Sequence, residues 1–439
     1  MMIHVMELLF LVILALFLQA SIKIPLPLTL MSVIIGALLL HIQLFDINSF
    51  SFDTIVIITL PLLITSDALK LKIAEIKKHG LSLFWVAGVN VLFSIVLGVL
   101  LNHWILKHYT LSVYDVIILF SIISATDPIT VTSIFSNFKV PHKLKILTEG
   151  ESLFNDATAI IVFNLGLHAV HHQNQINSSF ILQSILTVLS VAILSGIVIG
   201  YITVQALKIS NDVLIETSVV LLGAYSSYWV ADHFHGSGIL SVIISILMIN
   251  HYIQKVLKKD NTEIMKANNK KNIYLLKYAI TNKENHQSIL NNIEFIALFA
   301  SSILFISIAA ISNIQSLWHY KYVILSVFIG STIIRAISML KFALISNIMN
   351  NIKTSFMQKI QPHWLAILTL AGSKGALAIL MVHLIPNDFL YKTLFENIVI
   401  GNVILSSFIY AIGLIFIFNN QRWNQKFLNE ISKENTIQE

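Results

Sequence analysis

Runs of about 17 to 25 apolar residues, each followed by a short polar gap, recur from one end of the chain to the other. A run of that length matches the thickness of a bilayer's hydrocarbon core, where a backbone that cannot reach water must satisfy its own hydrogen bonds as helix. About 13 such runs are present, centred near Ile13, Val33, Leu60, Phe93, Ile123, Ala159, Ala192, Ala224, Ile244, Leu304, Leu325, Leu370 and Ser406. With 56% hydrophobic and 11% charged residues, a soluble domain is excluded and an all-α polytopic membrane protein is expected. The opening MMIHVMELLFLVILALFLQA lacks the basic start of a signal peptide and reads as the first span. With no cysteine, disulfide frameworks and thiolate metal sites are excluded.

The basic residues orient the spans. Of 28 Lys and Arg residues, Lys107, Lys321 and Lys392 would lie in outer gaps and Arg335 and Lys374 within spans. All the others would face the cytoplasm if the N-terminus is outside and the C-terminus inside. The net charge of +6 is therefore a topological signal rather than a nucleic-acid footprint. The longest gap, roughly 255–291, is rich in Lys and Asn and reads as a solvated cytoplasmic loop, and 421–439 as a short cytoplasmic tail.

Ionisable residues at membrane depth cost about 2.5–3.5 kcal/mol each to insert, so each calls for a reason. GESLFNDATAIIVF, on the sixth span, carries Glu151 and Asp156. Counted at ~1.5 Å per residue from the inner gap, Glu151 lies ~9 Å deep and Asp156 ~16 Å deep, near the midplane. Asp127, in SATDPITVTSIF, reaches a similar depth on the span before, whereas Arg335 falls at the level of Glu151. Matched depth and opposite charge make Glu151 and Arg335 a candidate buried ion pair. Asp156 has no basic residue at its level except Lys374. Residues four apart share a helix stripe, so Thr148, Ser152 and Asp156 present two hydroxyls and a carboxylate together, oxygen donors suited to a hard cation. The alternative is that these hydroxyls bond back to their own helix around a proton-sharing Asp156.

Two spans contain weak points. Pro128 lacks an amide hydrogen and disfavours helix in the residue before it, so the fifth span should break near Thr126 and Asp127. Free carbonyls of Ala125 or Thr126 could then coordinate a cation, with Asp127 facing the start of the second half-helix. On the twelfth span, Gly372 and Gly375 flank Lys374 in AGSKGALAIL. Paired interrupted helices in corresponding positions of two halves point to a transport site near the midplane.

SATDPITVTSIF, GESLFNDATAIIVF, HGSGILSVIISILMINH, IIRAISML and AGSKGALAIL, with LPLLITSDALKL as a weaker match, resemble the monovalent cation/proton antiporters of the first subfamily. These are the NhaP-type sodium/proton antiporters and their eukaryotic exchanger relatives. The resemblance implies inverted repeats with crossed, interrupted fifth and twelfth helices in a transmembrane domain over 1–420. A core bundle of roughly 80–172 and 320–419 would move against dimerisation helices of roughly 1–79 and 210–315, joined by a linking helix of roughly 179–207. It further implies a homodimer in the inner membrane, with Asp156 binding Na⁺ or H⁺ in turn and Ser152, Asp127 and Thr126 near the ion. Glu151 and Arg335 would be the structural pair. Asn155, where electrogenic relatives carry a second Asp, implies electroneutral one-for-one exchange. Two positions depart from the family pattern: Lys374 replaces an Arg, and the third-span acid aligns with Ser66, leaving Asp67, the further candidate ion ligand, one place, or ~100°, around the helix.

The expected function is antiport of Na⁺ or Li⁺ against H⁺, with no cofactor. A K⁺/H⁺ antiporter or an ion-coupled organic-solute carrier of the same fold is the alternative. Asp127 and Asp156 on consecutive spans also admit an intramembrane aspartyl hydrolase, although no G-x-G-D stretch is present. No P-loop, dinucleotide fingerprint or zinc spacing appears, so the energy source expected is an ion gradient.

Overall fold

In a computed structural model of the chain, residues 11–14, 52–71, 73–171, 178–209, 212–266, 272–352, 357 and 359–436 are described, and they contain helices without strands. The helices are α1 (Phe52–Lys70), α2 (Ile73–Ile105), α3 (Val113–Ser124), α4 (Pro128–Ser136), α5 (His142–His171), α6 (Ser178–Leu207), α7 (Val213–His233) and α8 (Gly238–Lys266). They continue with α9 (Asn272–Ile311), α10 (Ile314–His319), α11 (Lys321–Ile352), α12 (Trp364–Leu370), α13 (Ala376–His383), α14 (Lys392–Asn419) and α15 (Gln421–Thr436). Among the described residues, eight helices are long and apolar enough to cross a membrane. The second expected span and most of the first lie outside the described residues.

The described residues form two compact units. One takes the described residues of Met1–Ile57, Lys78–Ile181 and Ser301–Glu439, the other those of Ile58–Lys77 and Leu182–Ala300. In the first, α3 begins on a capping box: the Asp115 N–H donates to Ser112 Oγ at 3.2 Å, and the Ser112 N–H to Asp115 Oδ2 at 2.8 Å. α3 then packs between α2 and α5, with glycines at the points of closest approach. A Cβ on Gly98 would stand 2.4 Å from the Phe120 ring, and one on Gly166 2.8 Å from Ile118. Small residues let membrane helices meet backbone to backbone where the hydrophobic effect offers no attraction.

The second unit uses the same device. Gly196 and Gly200, four apart on α6, face Ser241 and Ser245 on α8, and the hydroxyls of Ser195 and Ser241 meet at 2.8 Å. Asn250 Nδ2 donates to the carbonyls of Leu69 and Leu71 at 2.7 and 2.8 Å, satisfying groups that the end of α1 leaves open.

One stretch differs from expectation, and a second gains a structure that the sequence reading left unassigned. α8 runs to Lys266 and α9 starts at Asn272, so most of the segment expected as a loop over 255–291 is helix. It contains neither Gly nor Pro, and its Lys, Glu, Leu and Ile residues sustain a helix that polarity alone would read as solvated loop. The tail is likewise the helix α15. Trp423, Phe427 and Glu430 lie along one face; Phe427 is fully buried with its ring 5.6 Å from that of Phe418, and Glu430 accepts a hydrogen bond from Trp364 Nε1 at 3.1 Å. His363 Nε2 lies 3.0 Å from Glu430, and burial together with Lys426 holds the His363 pKa below its ordinary value.

Phe427→Ala should release α15 from this contact. Removing a buried phenylalanine costs about 3 kcal/mol or more, on the order of a hundred-fold in the opening equilibrium. Hydrogen–deuterium exchange of residues 421–436 should speed up accordingly, with exchange in α3 and α5 unchanged.

Candidate ion-binding site

α3 ends at Ser124, the chain passes through Ala125 in extended conformation, and helix resumes as α4 at Pro128. The proline occupies the first position of α4, where an absent amide hydrogen leaves nothing unsatisfied. α12 ends at Leu370 and helix resumes as α13 at Ala376, with Gly375 extended between them. The two breaks touch: the Asp127 N–H donates to the Ser373 carbonyl at 2.7 Å. A Cβ on Gly375 would lie 2.4 Å from the Asp127 Cβ, so no larger residue fits there.

α5 supplies the side chains that satisfy the first break. The Thr126 N–H donates to Asp156 Oδ1 at 3.2 Å, and Ser152 Oγ donates to the Thr126 carbonyl at 2.6 Å. The Thr126 hydroxyl donates to Ser152 Oγ at 3.2 Å, while Asn155 Nδ2 donates to Thr126 Oγ1 at 2.8 Å and to the Ser124 carbonyl at 3.2 Å. Ser152, Asn155, Thr126 and Asp127 are all buried. Ser152 therefore does not bond back along its own helix, but Thr148 does, donating to the Leu144 and Lys145 carbonyls at 3.1 and 2.9 Å. The stripe of two hydroxyls and a carboxylate shortens to Ser152 and Asp156.

The second break is held from α11 and α14. Arg335 grips Glu151 with both arms, Nη1 to Oε1 at 2.7 Å and Nη2 to Oε2 at 3.0 Å. The same guanidinium donates from Nε to the Thr369 carbonyl at 3.0 Å and from Nη2 to the Leu368 carbonyl at 2.9 Å. A cation with a donor fork thus caps the C-terminal end of α12, where unpaired carbonyls carry partial negative charge. Gly372 makes room for it, since a Cβ there would lie 2.1 Å from Arg335 Nε. The Lys374 N–H donates to Ser406 Oγ at 2.9 Å, and its buried side chain sits in the field of Arg335, Glu151 and Asp156. Asp67 belongs to the other unit, where its carboxylate lies 3.6 Å from Lys70 Nζ.

Several participants have no sequence signal of the acid-and-break kind. Ser406 and the Ser373 carbonyl act through backbone contacts that only the fold creates. Asn90, which with Asn155 lines a small cavity, comes directly after a single π-turn over Trp85–Val89 that apolar periodicity conceals.

A carboxylate, two hydroxyls and a backbone carbonyl gathered where two interrupted helices meet inside a many-span helical protein are the features of a membrane ion transporter. The comparisons with known proteins narrow this class. The family model described as sodium/hydrogen exchanger, transmembrane, matches residues 8–420, and the chain belongs to that family. The Na⁺/H⁺ antiporter ApNhaP of Aphanothece halophytica is 27% identical over 361 residues, covering 82% of this chain and 63% of its own. The low-affinity Na⁺/H⁺ antiporter NhaS1 of Synechocystis sp. is 25% identical over 392 residues, covering 89% of this chain and 69% of its own. The chain thus spans about two thirds of the length of these relatives. The structure of the sodium proton antiporter MjNhaP1 from Methanocaldococcus jannaschii has the same fold, with a TM-score of 0.71 at 17% identity, covering 97% of this chain and 99% of that one.

Breaking the buried pair should be costly because it strands a charge. Glu151→Gln is expected to lose about 3–5 kcal/mol of stability, and the double substitution Glu151→Gln with Arg335→Met less than the sum of the two singles. Unfolding of the detergent-solubilised protein, followed by tryptophan fluorescence, reads the difference.

Proposed function

We propose that this protein is a secondary antiporter that exchanges Na⁺, and by the same chemistry Li⁺, for H⁺ across the inner membrane. The observation that carries the reading is Asp156 against a helix break whose Thr126 carbonyl and hydroxyl and Ser152 hydroxyl converge beside it. Hard monovalent cations favour such oxygen donors, and a carboxylate that ligates one cannot keep its proton. Proton and cation then exclude one another at Asp156, with Asp127 and the Thr126 backbone completing the ion's surroundings. The proton-loaded and cation-loaded forms then carry the same charge at the site. The empty form would carry a bare carboxylate through low dielectric, which disfavours leak.

Asn155 supports one-for-one, electroneutral exchange. Its amide is occupied as a donor to Ser124 and Thr126 and offers no second titratable group, so one carboxylate handles one proton or one cation. Glu151 and Arg335 hold the architecture, a role supported by the paired contacts that tie α5 to α11 and the end of α12. The wider reading is a chain of about 13 spans, N-terminus outside, with inverted repeats and crossed broken helices. In that reading a core around 80–172 and 320–419 moves against dimerisation helices in a homodimer. The location of every contact at the two breaks within one compact unit supports its core portion.

In proteoliposomes with a trapped pH dye, a Na⁺ pulse should produce H⁺ flux that Asp156→Asn reduces to the level of protein-free vesicles. An Asp156→Asn variant that still exchanged would refute the assignment. Imposing a potential of about 100 mV, worth about 2.3 kcal/mol per charge moved, should leave the wild-type rate unchanged if the cycle is electroneutral.

A further inference from the structure

A small cavity lies beside Asn155, and Ser124, Glu151 and Lys374 also border it. Its volume is about 30 Å³, enough for one or two water molecules. Asn90 and Ser94 from α2, Asn155 from α5, and Arg335, Ser338 and Met339 from α11 contribute to its lining. Two carboxamide oxygens on this lining, Asn90 Oδ1 and Asn155 Oδ1, make no hydrogen bond to the protein, although the two residues are only 3% and 1% exposed. A buried carbonyl oxygen without a partner is rare in folded proteins and marks a place for ordered water. The hydroxyls of Ser94 and Ser338, 2.9 Å apart, make the wall polar as well.

Asn90 reaches this wall because of the π-turn at Trp85–Val89, which adds a residue to the helical turn just before it and rotates the side chains beyond it. Its Nδ2 is turned to Met339 Sδ, 3.9 Å away, so its oxygen is the free end. Asn155 likewise leaves its oxygen free. Its Nδ2 donates to a carbonyl and a hydroxyl at the break, and a flipped amide would set two oxygens, Asn155 Oδ1 and the Ser124 carbonyl, against each other. A water molecule has two hydrogens to donate and can bridge two carboxamide oxygens in a chamber of this size.

We propose that Asn90 is a positioning residue: it holds ordered water in the chamber beside Asn155, and that water keeps the Asn155 amide turned toward the Thr126 break. The substitution Asn90→Leu keeps the size and removes the acceptor, while Asn90→Ser keeps an oxygen. The role rests on the cation-exchange reading, because what Asn155 orients is the break that would ligate the cation.

Synchrotron hydroxyl-radical footprinting of the intact protein tests the water directly, since bound water generates radicals beside the residues it touches. Met339 is the reporter and Met381, fully buried and not among the cavity's lining residues, the internal control. Met339 should be modified several-fold faster than Met381 in the native protein, near the control rate in Asn90→Leu, and fast again in Asn90→Ser. In proteoliposomes, the apparent KM for Na⁺ should rise about five-fold in Asn90→Leu, the factor of one lost hydrogen bond, and stay near native in Asn90→Ser. Equal rates at Met339 and Met381 in the native protein, or fast modification persisting in Asn90→Leu, overturn the proposal. So does an Asn90→Leu variant that loses exchange amplitude with an unchanged KM, which is what a purely structural residue would give. If the native protein exchanged no cation, the positioning role would fall with the exchange reading, and the footprint would still show whether Asn90 holds water.

Discussion

A helix interrupted within a bilayer exposes backbone groups that lipid cannot satisfy, and this chain interrupts two. The rest of the structure depends on how those groups are paired. One bond joins the two breaks, donated by the Asp127 N–H to the Ser373 carbonyl. Others are met from neighbouring helices: Ser152 and Asp156 at Thr126, Asn155 at Ser124, Ser406 at Lys374, and Arg335 at Leu368 and Thr369. The polar residues concentrated at these breaks are those that a pair of broken helices requires. They also gather the oxygen atoms to which the proposed mechanism assigns the ion.

The same requirement separates the two acids of the sixth span. Glu151 meets a fixed cation whose guanidinium is also bonded to helix-end carbonyls, and moving it would release both contacts. Asp156 meets the Thr126 backbone N–H at 3.2 Å, a contact that the proposed mechanism exchanges for a cation or a proton. Five residues apart on one helix, a shared carboxylate chemistry thus serves rigidity at one position and, in the proposed mechanism, exchange at the other.

Much of this was readable from residue types and depth. Pro128 placed the first break and Gly372 with Gly375 marked the second, because their backbone chemistry acts locally. Equal depth and opposite sign paired Glu151 with Arg335 from sequence alone, since the bilayer supplies a common ruler. Features that depend on three-dimensional approach were hidden. The Asp127–Ser373 bond, the Ser406 contact and the second pair of bonds from Arg335 are all made to backbone atoms, which every residue has and no pattern flags. The π-turn before Asn90 lies in uniformly apolar sequence, where helical periodicity carries no information. The segment over 255–291 misled because its polarity suggested a loop, while its freedom from Gly and Pro allowed helix.

The central claim is that one carboxylate, Asp156, is contested by proton and cation. The most direct measurement is the initial rate of Na⁺-driven H⁺ flux in proteoliposomes, taken over a full range of Na⁺ at each of several pH values. Competition predicts that on the acid side the apparent KM for Na⁺ rises about tenfold for each pH unit removed while the maximal rate stays constant, as mass action at a single site requires. A maximal rate that falls with acidification at an unchanged KM would place proton and cation on separate groups and contradict the account.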